Sequence, residues 1–264
     1  MFQDTIREMV HAAKQKKDLM DRSPLRYFLS AMLAGAYVGI GIVLIMNVGA
    51  PFYAIHSPAT SIVMGASFGI ALTLVIIAGS ELFTGNNMYF TLSTLAKATT
   101  WKDMLKNWGL VFIGNLAGAM VLAFIVVRAD IFHGITADHV LMEAAKKKMT
   151  LGTSQLFFRG ILCNWLVCLA IWTSKRVTND AAKLILIWWM LYAFIASGYE
   201  HSVANMTIFG LALLLPHPDT ITIAGWLHNM IPVTLGNIVG GGLFLGTIYW
   251  LISPYRERDL NISV

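Results

Sequence analysis

Six long apolar stretches recur along this chain of 264 residues, and they constrain its fold more than any other feature. They lie at about 27–48, 60–96, 106–127, 154–174, 184–214 and 229–252. About 20 apolar residues in a helix span the hydrocarbon core of a bilayer. A soluble all-α protein is a poor alternative, because the chain is 57% hydrophobic and only 12% charged. It has too few polar residues to cover a water-exposed surface. We therefore predict an all-α membrane protein with six transmembrane helices.

The second and fifth stretches are too long for one straight crossing of the bilayer. Each has glycine and polar residues near its middle, GSELFTGNN at 79–87 and SGYEHSVAN at 197–205. Non-helical backbone at membrane depth is tolerated only where it is buried in protein or lines a cavity. We therefore predict that helices 2 and 5 are broken, and that both breaks lie inside the protein.

An internal repeat relates the two interruptions. The pattern Gly-x-Glu, with Asn five residues after the Glu, begins at Gly79 and again at Gly198, 119 residues later. The pattern Gly-Asn-x-x-Gly begins at Gly114 and again at Gly236, 122 residues later. Two matches in the same order at nearly one offset indicate a duplicated unit of three helices. Because three is odd, we predict two inverted three-helix repeats with a site between the broken helices.

The basic residues predict the orientation of the chain. The N-terminal segment, the loops after spans two and four, and the tail hold fourteen Lys and Arg, whereas the opposite loops hold four. The positive-inside rule then places both termini in the cytoplasm. We expect a cytoplasmic amphipathic N-terminal helix in 1–25, a transmembrane channel domain in 26–252 and a cytoplasmic tail in 253–264. The apolar face and lysines of residues 2 to 20 fit either a helix on an anionic membrane surface or a solvated helix.

Titratable side chains inside the spans mark the candidate site. Of the fourteen acidic residues, Glu81 and Glu200 alone fall inside predicted spans, and both belong to the repeat. Such residues are costly in a membrane and usually functional, although both glutamates could instead only hold broken backbone together. His201 breaks the repeat, since its equivalent is Leu82. An imidazole there can donate hydrogen bonds to an anion and exchange a proton near neutral pH.

The residues around this site do not predict metal or covalent chemistry. Cys163 and Cys168 lie in one span, five residues apart, where no disulfide or metal framework is implied. No set of ligands converges on His201 in the sequence, and no nucleophile–base pair accompanies it. We therefore expect no cofactor, no metal and no enzyme activity. The net charge of +5 comes from residues flanking the spans, which fits membrane topology rather than nucleic-acid binding.

Four stretches resemble those of one protein family: MLAGAYVGIG at 32–41, MGASFGIALTLVIIAGSELFTG at 64–85, CNWLVCLAIW at 163–172 and FIASGYEHSVANMT at 194–207. The chain resembles the formate/nitrite transporter family over essentially its whole length, and within it the bacterial nitrite channels. The resemblance implies an aquaporin-like protomer with one pore. It also implies a homopentamer in contact with lipid in the bacterial cytoplasmic (inner) membrane.

The resemblance further implies roles for particular residues. His201 matches the central pore histidine, Thr84 its hydrogen-bond partner, and Asn164 a nearby pore asparagine. Lys148 matches a lysine near the outer entrance, and Glu200 is expected to orient the break and to tune His201. Two apolar constrictions are implied on either side of the centre, formed by Phe68, Leu72, Leu82, Phe83, Val167 and Phe194.

We accordingly expect a channel for small monovalent anions, with nitrite as the substrate and a role in nitrate assimilation. A formate or hydrosulfide channel would use nearly the same pore. Two modes stay open at the centre: the anion accepts hydrogen bonds from the site, or it gains a proton and crosses as the neutral acid. A water or glycerol channel would carry paired Asn-Pro-Ala breaks, which this sequence lacks. A purely structural membrane scaffold would not need the buried Glu and His.

Overall fold

The computed structural model describes residues 2–253, so the predicted tail beyond residue 253 lies outside the described residues. Within 2–253 the chain is helical and contains no β-strand, which confirms the predicted all-α class. The helices are α1 (Gln3–Arg22), α2 (Pro24–Ala54), α3 (Thr60–Gly79), α4 (Phe83–Leu95), α5 (Trp101–Arg128), α6 (Val140–Thr150), α7 (Thr153–Ser174), α8 (Asp180–Ala196), α9 (Ser202–Leu214) and α10 (Ile223–Ile252).

The apolar stretches form helices that can cross a membrane. Five of the described helices have the required length and hydropathy, namely α2, α3, α5, α7 and α10. The stretch at 184–214 is divided between α8 and the shorter apolar α9, so neither part reaches that length alone. The chain is therefore a multi-pass membrane protein. Helix α1 comes before the first of these stretches and α6 comes after the third, so the two helices lie at opposite ends of the bundle. We call these ends the α1 end and the α6 end.

Both predicted breaks are present, and a glycine lies at the start of each. Gly79 has a φ of 80° and Gly198 a φ of 70°, in the left-handed region that is costly for residues with a Cβ. Residues 80–82 are then non-helical before α4, and residues 197–201 are non-helical before α9. The two glycines of the repeat thus end the first half of each broken helix.

The apolar face of α1 is buried against the protein. Ile6, Met9 and Ala13 have no exposed surface, and Val10 is 2% exposed. The helix packs on α2 and α4. The interpretations of α1 as a helix on the membrane surface or as a solvated helix are both wrong for this face, because its apolar residues pack against the helices of the bundle.

Paired glycines bring the long helices of each half close together. Gly118 of α5 lies against the carbonyl of Met32 in α2, and the equivalent Gly240 of α10 lies against the carbonyl of Ile161 in α7. A Cβ at either position would clash with that carbonyl. The glycines of the repeated Gly-Asn-x-x-Gly pattern therefore let the paired helices pack closely together. This close packing places the asparagine of the pattern beside the break.

Candidate functional site

The first break is held by an asparagine of α5. Asn115 accepts a hydrogen bond at Oδ1 from the backbone N–H of Phe83 at 2.9 Å. Its Nδ2 donates to the carbonyls of Glu81 and Ala31, each at 2.8 Å. Buried backbone groups without partners are costly. Asn115 thus satisfies the peptide groups on both sides of Leu82, where the chain leaves the helix.

The second break has the same arrangement around an asparagine of α10. Asn237 accepts at Oδ1 from the backbone N–H of Ser202 at 2.9 Å. Its Nδ2 donates to the carbonyls of Glu200 at 3.0 Å and Gly160 at 2.8 Å. The residue between these two bonds is His201. The repeat in the sequence is therefore also a repeat in the hydrogen bonds. The residue held between the two bonded peptide groups is Leu82 in the first break and His201 in the second.

The carboxylate of Glu200 is enclosed by donors. Lys148 Nζ lies 2.9 Å from Oε1, and Asn205 and Asn229 donate through Nδ2 to Oε2 at 2.7 and 3.3 Å. The Glu200 side chain is 2% exposed and that of Lys148 is 19% exposed. Within residues 2–253, no hydrogen bond joins this carboxylate to the His201 ring. The structure thus places Lys148 in an ion pair with Glu200.

Glu81 has a matching partner set at the first break. Lys16 Nζ lies 2.7 Å from both carboxylate oxygens, and the hydroxyl of Tyr27 donates at 2.8 Å. Asn86 Nδ2 donates to the same carboxylate at 3.1 Å. Sequence analysis missed Lys16 and Tyr27. Lys16 belongs to the basic run of α1, which had been assigned to topology, and no pattern distinguishes Tyr27 from other residues at helix ends.

His201 caps α9 and faces the other half of the protein. Its Nδ1 accepts a hydrogen bond from the backbone N–H of Ala204 at 3.1 Å. A ring nitrogen that accepts carries no proton, so the neutral ring has its proton on Nε2. That Nε2 lies 3.1 Å from Oγ1 of Thr84, in the first turn of α4. Thr84 and His201 are 0% and 4% exposed, so the two breaks meet at a buried polar pair.

Asn164 lies beside this pair and supports it. Its Nδ2 is 3.1 Å from the carbonyl of Thr84, 2.6 Å from that of Asn237 and 3.1 Å from Oδ1 of Asn87. The side chain is fully buried. Asn164 therefore connects the two halves behind the Thr84–His201 contact.

A narrow apolar cavity, which we call the central slit, lies next to His201. Its volume is about 10 Å³, close to the least that holds one water molecule. The ring centroid of Phe194 lies 5.5 Å from that of Phe68 and 5.9 Å from that of His201. The slit is closed to larger species in this structure. Its lining residues are Phe68, Leu72, Leu82, Val167, Phe194 and His201, with Val38, Ala71 and Leu191.

The lining differs from the sequence-based set in a few positions. The ring of Phe83 is not at the slit but packs on Phe112, with centroids 5.2 Å apart. Val38, Ala71 and Leu191 had not been singled out. Leu191 lies about one helical turn before Phe194, so helical spacing could have identified it. Nothing in the sequence distinguishes Val38 from other apolar helix residues.

A wider chamber lies toward each end of the bundle, and the one at the α1 end shares Leu82 with the slit. The chamber at the α1 end has a volume of about 270 Å³ and is lined by Leu82, Lys16 and Lys175 among others. The chamber at the α6 end has a volume of about 600 Å³, and its lining includes Gly198 and Lys147. Within residues 2–253, no cluster of three His, Cys, Asp or Glu side chains is arranged to hold a metal ion.

A multi-pass helical protein with two broken helices that meet at a buried polar pair beside a narrow slit has the architecture of a membrane channel or transporter. A sequence model described as formate/nitrite transporter matches residues 3–251. This chain belongs to the formate/nitrite transporter family.

Named relatives and solved structures cover nearly the whole chain. The chain is 44% identical to the nitrite transporter NirC of Salmonella typhimurium over 268 residues, covering 100% of this chain and 97% of that protein. A solved structure described as an FNT family ion channel has a TM-score of 0.91 at 44% identity, covering 95% of this chain and 99% of the other. A pentameric formate channel with formate bound has a TM-score of 0.74 at 32% identity, with coverages of 88% and 98%.

Proposed function

We propose that the chain is a channel for small monovalent anions, with nitrite as its first substrate. The observation that carries this proposal is the buried Thr84–His201 pair at 3.1 Å, beside a narrow apolar slit. Chambers with lysines in their walls lie toward the two ends of the bundle. The similarity to the nitrite transporter NirC supports the choice of nitrite. We propose transport rather than catalysis, and the similarity to named transporters and channels supports that class.

The chambers concentrate and then dehydrate the anion. Basic side chains in a confined mouth raise the local concentration of anions. Lys147 borders the chamber at the α6 end. Lys16 and Lys175 border the chamber at the α1 end, where their ion pairs with Glu81 and Glu8 reduce their attraction for an anion. Phe68 and Phe194 then bar the path, and an anion that loses its water without compensation is heavily penalised. Permeation therefore needs hydrogen-bond donors at the centre and a widening of the slit.

Thr84 and His201 supply those donors. With Nδ1 of His201 accepting from Ala204, the proton on Nε2 points to the Thr84 side. If Nε2–H donates to Thr84, the hydroxyl proton of Thr84 stays free, because none of the described residues gives it another acceptor. An anion in the widened slit can receive the Nε2–H or the hydroxyl proton in place of lost water.

The cap on α9 favours hydrogen bonding over proton donation by His201. A doubly protonated ring would carry a proton on Nδ1, facing the backbone N–H of Ala204. Losing a helix N-cap costs about 1 kcal/mol. A neutral ring that gave up its only proton would become an imidazolate, which is not accessible near neutral pH. We therefore propose that His201 works as a neutral donor, and that any proton gained by the anion comes from water.

We further propose the cellular arrangement implied by the basic residues. Both termini face the cytoplasm of a bacterial inner membrane, the α6 end faces outward, and residues 1–25, 26–252 and 253–264 form the N-terminal helix, channel domain and tail. Five protomers assemble in lipid, each with its own pore. The similarity to a pentameric formate channel supports the pentamer. No nucleic-acid partner and no cofactor are proposed, and a role in nitrate assimilation stays a prediction.

Anion flux into proteoliposomes tests this proposal. The full chain is reconstituted, and uptake of nitrite, formate, hydrosulfide and chloride is compared with that of glycerol. We expect nitrite and formate to enter faster than chloride, and nitrite fastest. Formate faster than nitrite would favour the alternative of a formate channel, which the similarity to a channel with bound formate supports. Flux of glycerol alone, or of none of these solutes, would overturn the proposal.

A further inference from the structure

We propose that Asn237 is a positioning residue that sets the place of His201 and couples it to Thr84. This inference rests on the proposed function and names the residue on which the central pair depends. Asn237 holds the two peptide groups that flank His201: the carbonyl of Glu200 at 3.0 Å and the N–H of Ser202 at 2.9 Å. It touches no atom of the imidazole ring in any hydrogen bond within the described residues.

The side chain of Asn237 fixes the backbone of the break to a neighbouring helix. Its Nδ2 also donates to the carbonyl of Gly160 in α7 at 2.8 Å. The break is therefore tied on both sides of one residue to α10, and through α10 to α7. With the backbone of His201 fixed, its Nδ1 is in place to accept from Ala204 N–H and its Nε2 is directed at Thr84.

The backbone of Asn237 reaches the other half of the pair. Its carbonyl accepts from Nδ2 of Asn164 at 2.6 Å, and the same amide group donates to the carbonyl of Thr84. Asn237 therefore contacts the His201 break through its side chain, and its main-chain carbonyl shares the Asn164 amide with the carbonyl of Thr84. Asn237 and Asn164 together thus connect the two groups that lie 3.1 Å apart.

Local helix geometry allows this second contact. From Val239 to Thr247, directly after Asn237 and Ile238, α10 winds as a π-helix, whose hydrogen bonds run from i to i+5 and which is frequent at functional sites. A Cβ on Gly241 would lie only 2.6 Å from Asn164 Nδ2. The missing side chain at Gly241 leaves the space that the Asn164 amide occupies. Side chains inserted into the hydrogen-bond ladder are a known cause of such local distortion.

The first repeat supplies a matched control. Asn115 holds the peptide groups on both sides of Leu82 with the same three hydrogen bonds. Truncating either asparagine removes an equivalent set of buried bonds. The general structural damage should then be similar. Asn115 holds the N–H of Phe83, next to Thr84, so its loss reaches the ring only at Nε2, whereas Asn237 fixes the backbone that places Nδ1 against Ala204.

The test combines ring spectroscopy with flux on the full chain in lipid. The ring nitrogens of histidine are labelled with ¹⁵N, and the His201 signals are assigned by their loss in His201→Asn. In wild type we expect a neutral ring protonated on Nε2. Asn237→Ala should mix the two neutral tautomers and lower maximal nitrite flux about 10- to 100-fold, as for a misplaced reacting group. The half-saturating concentration should stay within about twofold, because the chambers are unchanged.

Three further variants make the result decisive. Asn115→Ala should lose thermal stability about as much as Asn237→Ala yet keep the Nε2–H tautomer, because the contact of Nδ1 with Ala204 is left in place. Gly241→Ala displaces Asn164 and should lower flux while keeping the Nε2–H tautomer. If Asn237→Ala does not assemble, Asn237→Ser is measured in its place.

Unchanged ring signals with flux within twofold of wild type would overturn the inference, and so would an equal mixing of the two tautomers in Asn115→Ala. The spectroscopic result does not depend on which solute crosses. Altered signals in a protein that transports no anion would therefore refute the proposed function alone.

Discussion

Oγ1 of Thr84 and Nε2 of His201 lie 3.1 Å apart although 117 residues separate them in the chain. Each stands at the start of a half-helix, Thr84 in the first turn of α4 and His201 as the cap of α9. Asparagines at equivalent repeat positions hold the two breaks. The contact is therefore a product of the duplicated architecture, and the histidine is the element that distinguishes the second copy from the first.

The Lys148–Glu200 pair predicts a stability effect in addition to an effect on anions. Lys148→Ala leaves a carboxylate that is 2% exposed without its cation. Removing one partner of a buried ion pair costs about 3 to 5 kcal/mol, so thermal stability and maximal flux should both fall. Lys146→Ala is the control, since Lys146 pairs with Glu143 on the surface at 3.7 Å. A Lys148→Ala protein as stable as wild type, with only a raised half-saturating concentration, would mean that Lys148 mainly captures anions.

Phe194 predicts a change in selectivity. Its ring lies between Phe68 and the imidazole at the closed slit. Phe194→Ala should widen the slit and let a larger carboxylate such as lactate enter at a rate closer to that of formate. Phe209→Ala controls for the loss of a buried ring, which costs about 3 to 5 kcal/mol in a core, because Phe209 is buried away from the slit. Equal lactate-to-formate ratios in the two variants would contradict the role of Phe194 as a barrier.

We predict that the stability of the N-terminal end of α6 depends on pH through His139, which lies in the loop before that helix. Its Nδ1 accepts from the N–H of Leu141, and burial lowers the pKa of His139 below its usual value, while Asp138 opposes that shift. The neutral ring is thus the form that the folded protein favours. Its stabilising effect should be present above about pH 6.5 and be lost as pH falls through the lowered folded pKa.

Amide hydrogen exchange checks this prediction. The protection of the Leu141 N–H, corrected for the intrinsic exchange rate, should decrease as the pH falls from 8 to 5, the range in which histidine titrates. His139→Asn keeps a capping side chain without a titratable ring, so its protection should stay level. A parallel decrease in His139→Asn would assign the effect to another group.

Much of the architecture could be predicted from sequence, because the length of each apolar stretch and the glycines in its middle determine the structure of that same stretch. The breaks near Gly79 and Gly198 follow from residues within the same stretch. The match between Asn115 and Asn237 was visible as a repeat, but their hydrogen bonds were not, because the bonds join helices distant in sequence.

The partners of the two glutamates show where sequence reasoning ends. Sequence reasoning predicts a place near an entrance for Lys148 and uses Lys16 for topology, and it identifies neither ion pair with a glutamate of a break. A lysine side chain is long enough to serve either role, so its position in a basic run does not decide which it takes. The buried face of α1 was misread for a related reason: an amphipathic pattern does not say whether the apolar face meets lipid or protein.

The central claim is that His201 acts as a neutral hydrogen-bond donor in an anion pathway, and two substitutions at that position test it most directly. His201→Asn keeps a side chain that can cap α9 and donate through Nδ2, whereas His201→Leu copies Leu82 of the first repeat. Nitrite flux is measured for both from pH 5 to 8, the range over which a free histidine titrates. We predict that His201→Asn retains flux within about tenfold of wild type with the same pH dependence, and that His201→Leu loses about 100-fold or more, comparable to the loss of a well-placed donor in a buried site. Wild-type flux in His201→Leu, or a pH dependence that disappears in His201→Asn, would contradict the account.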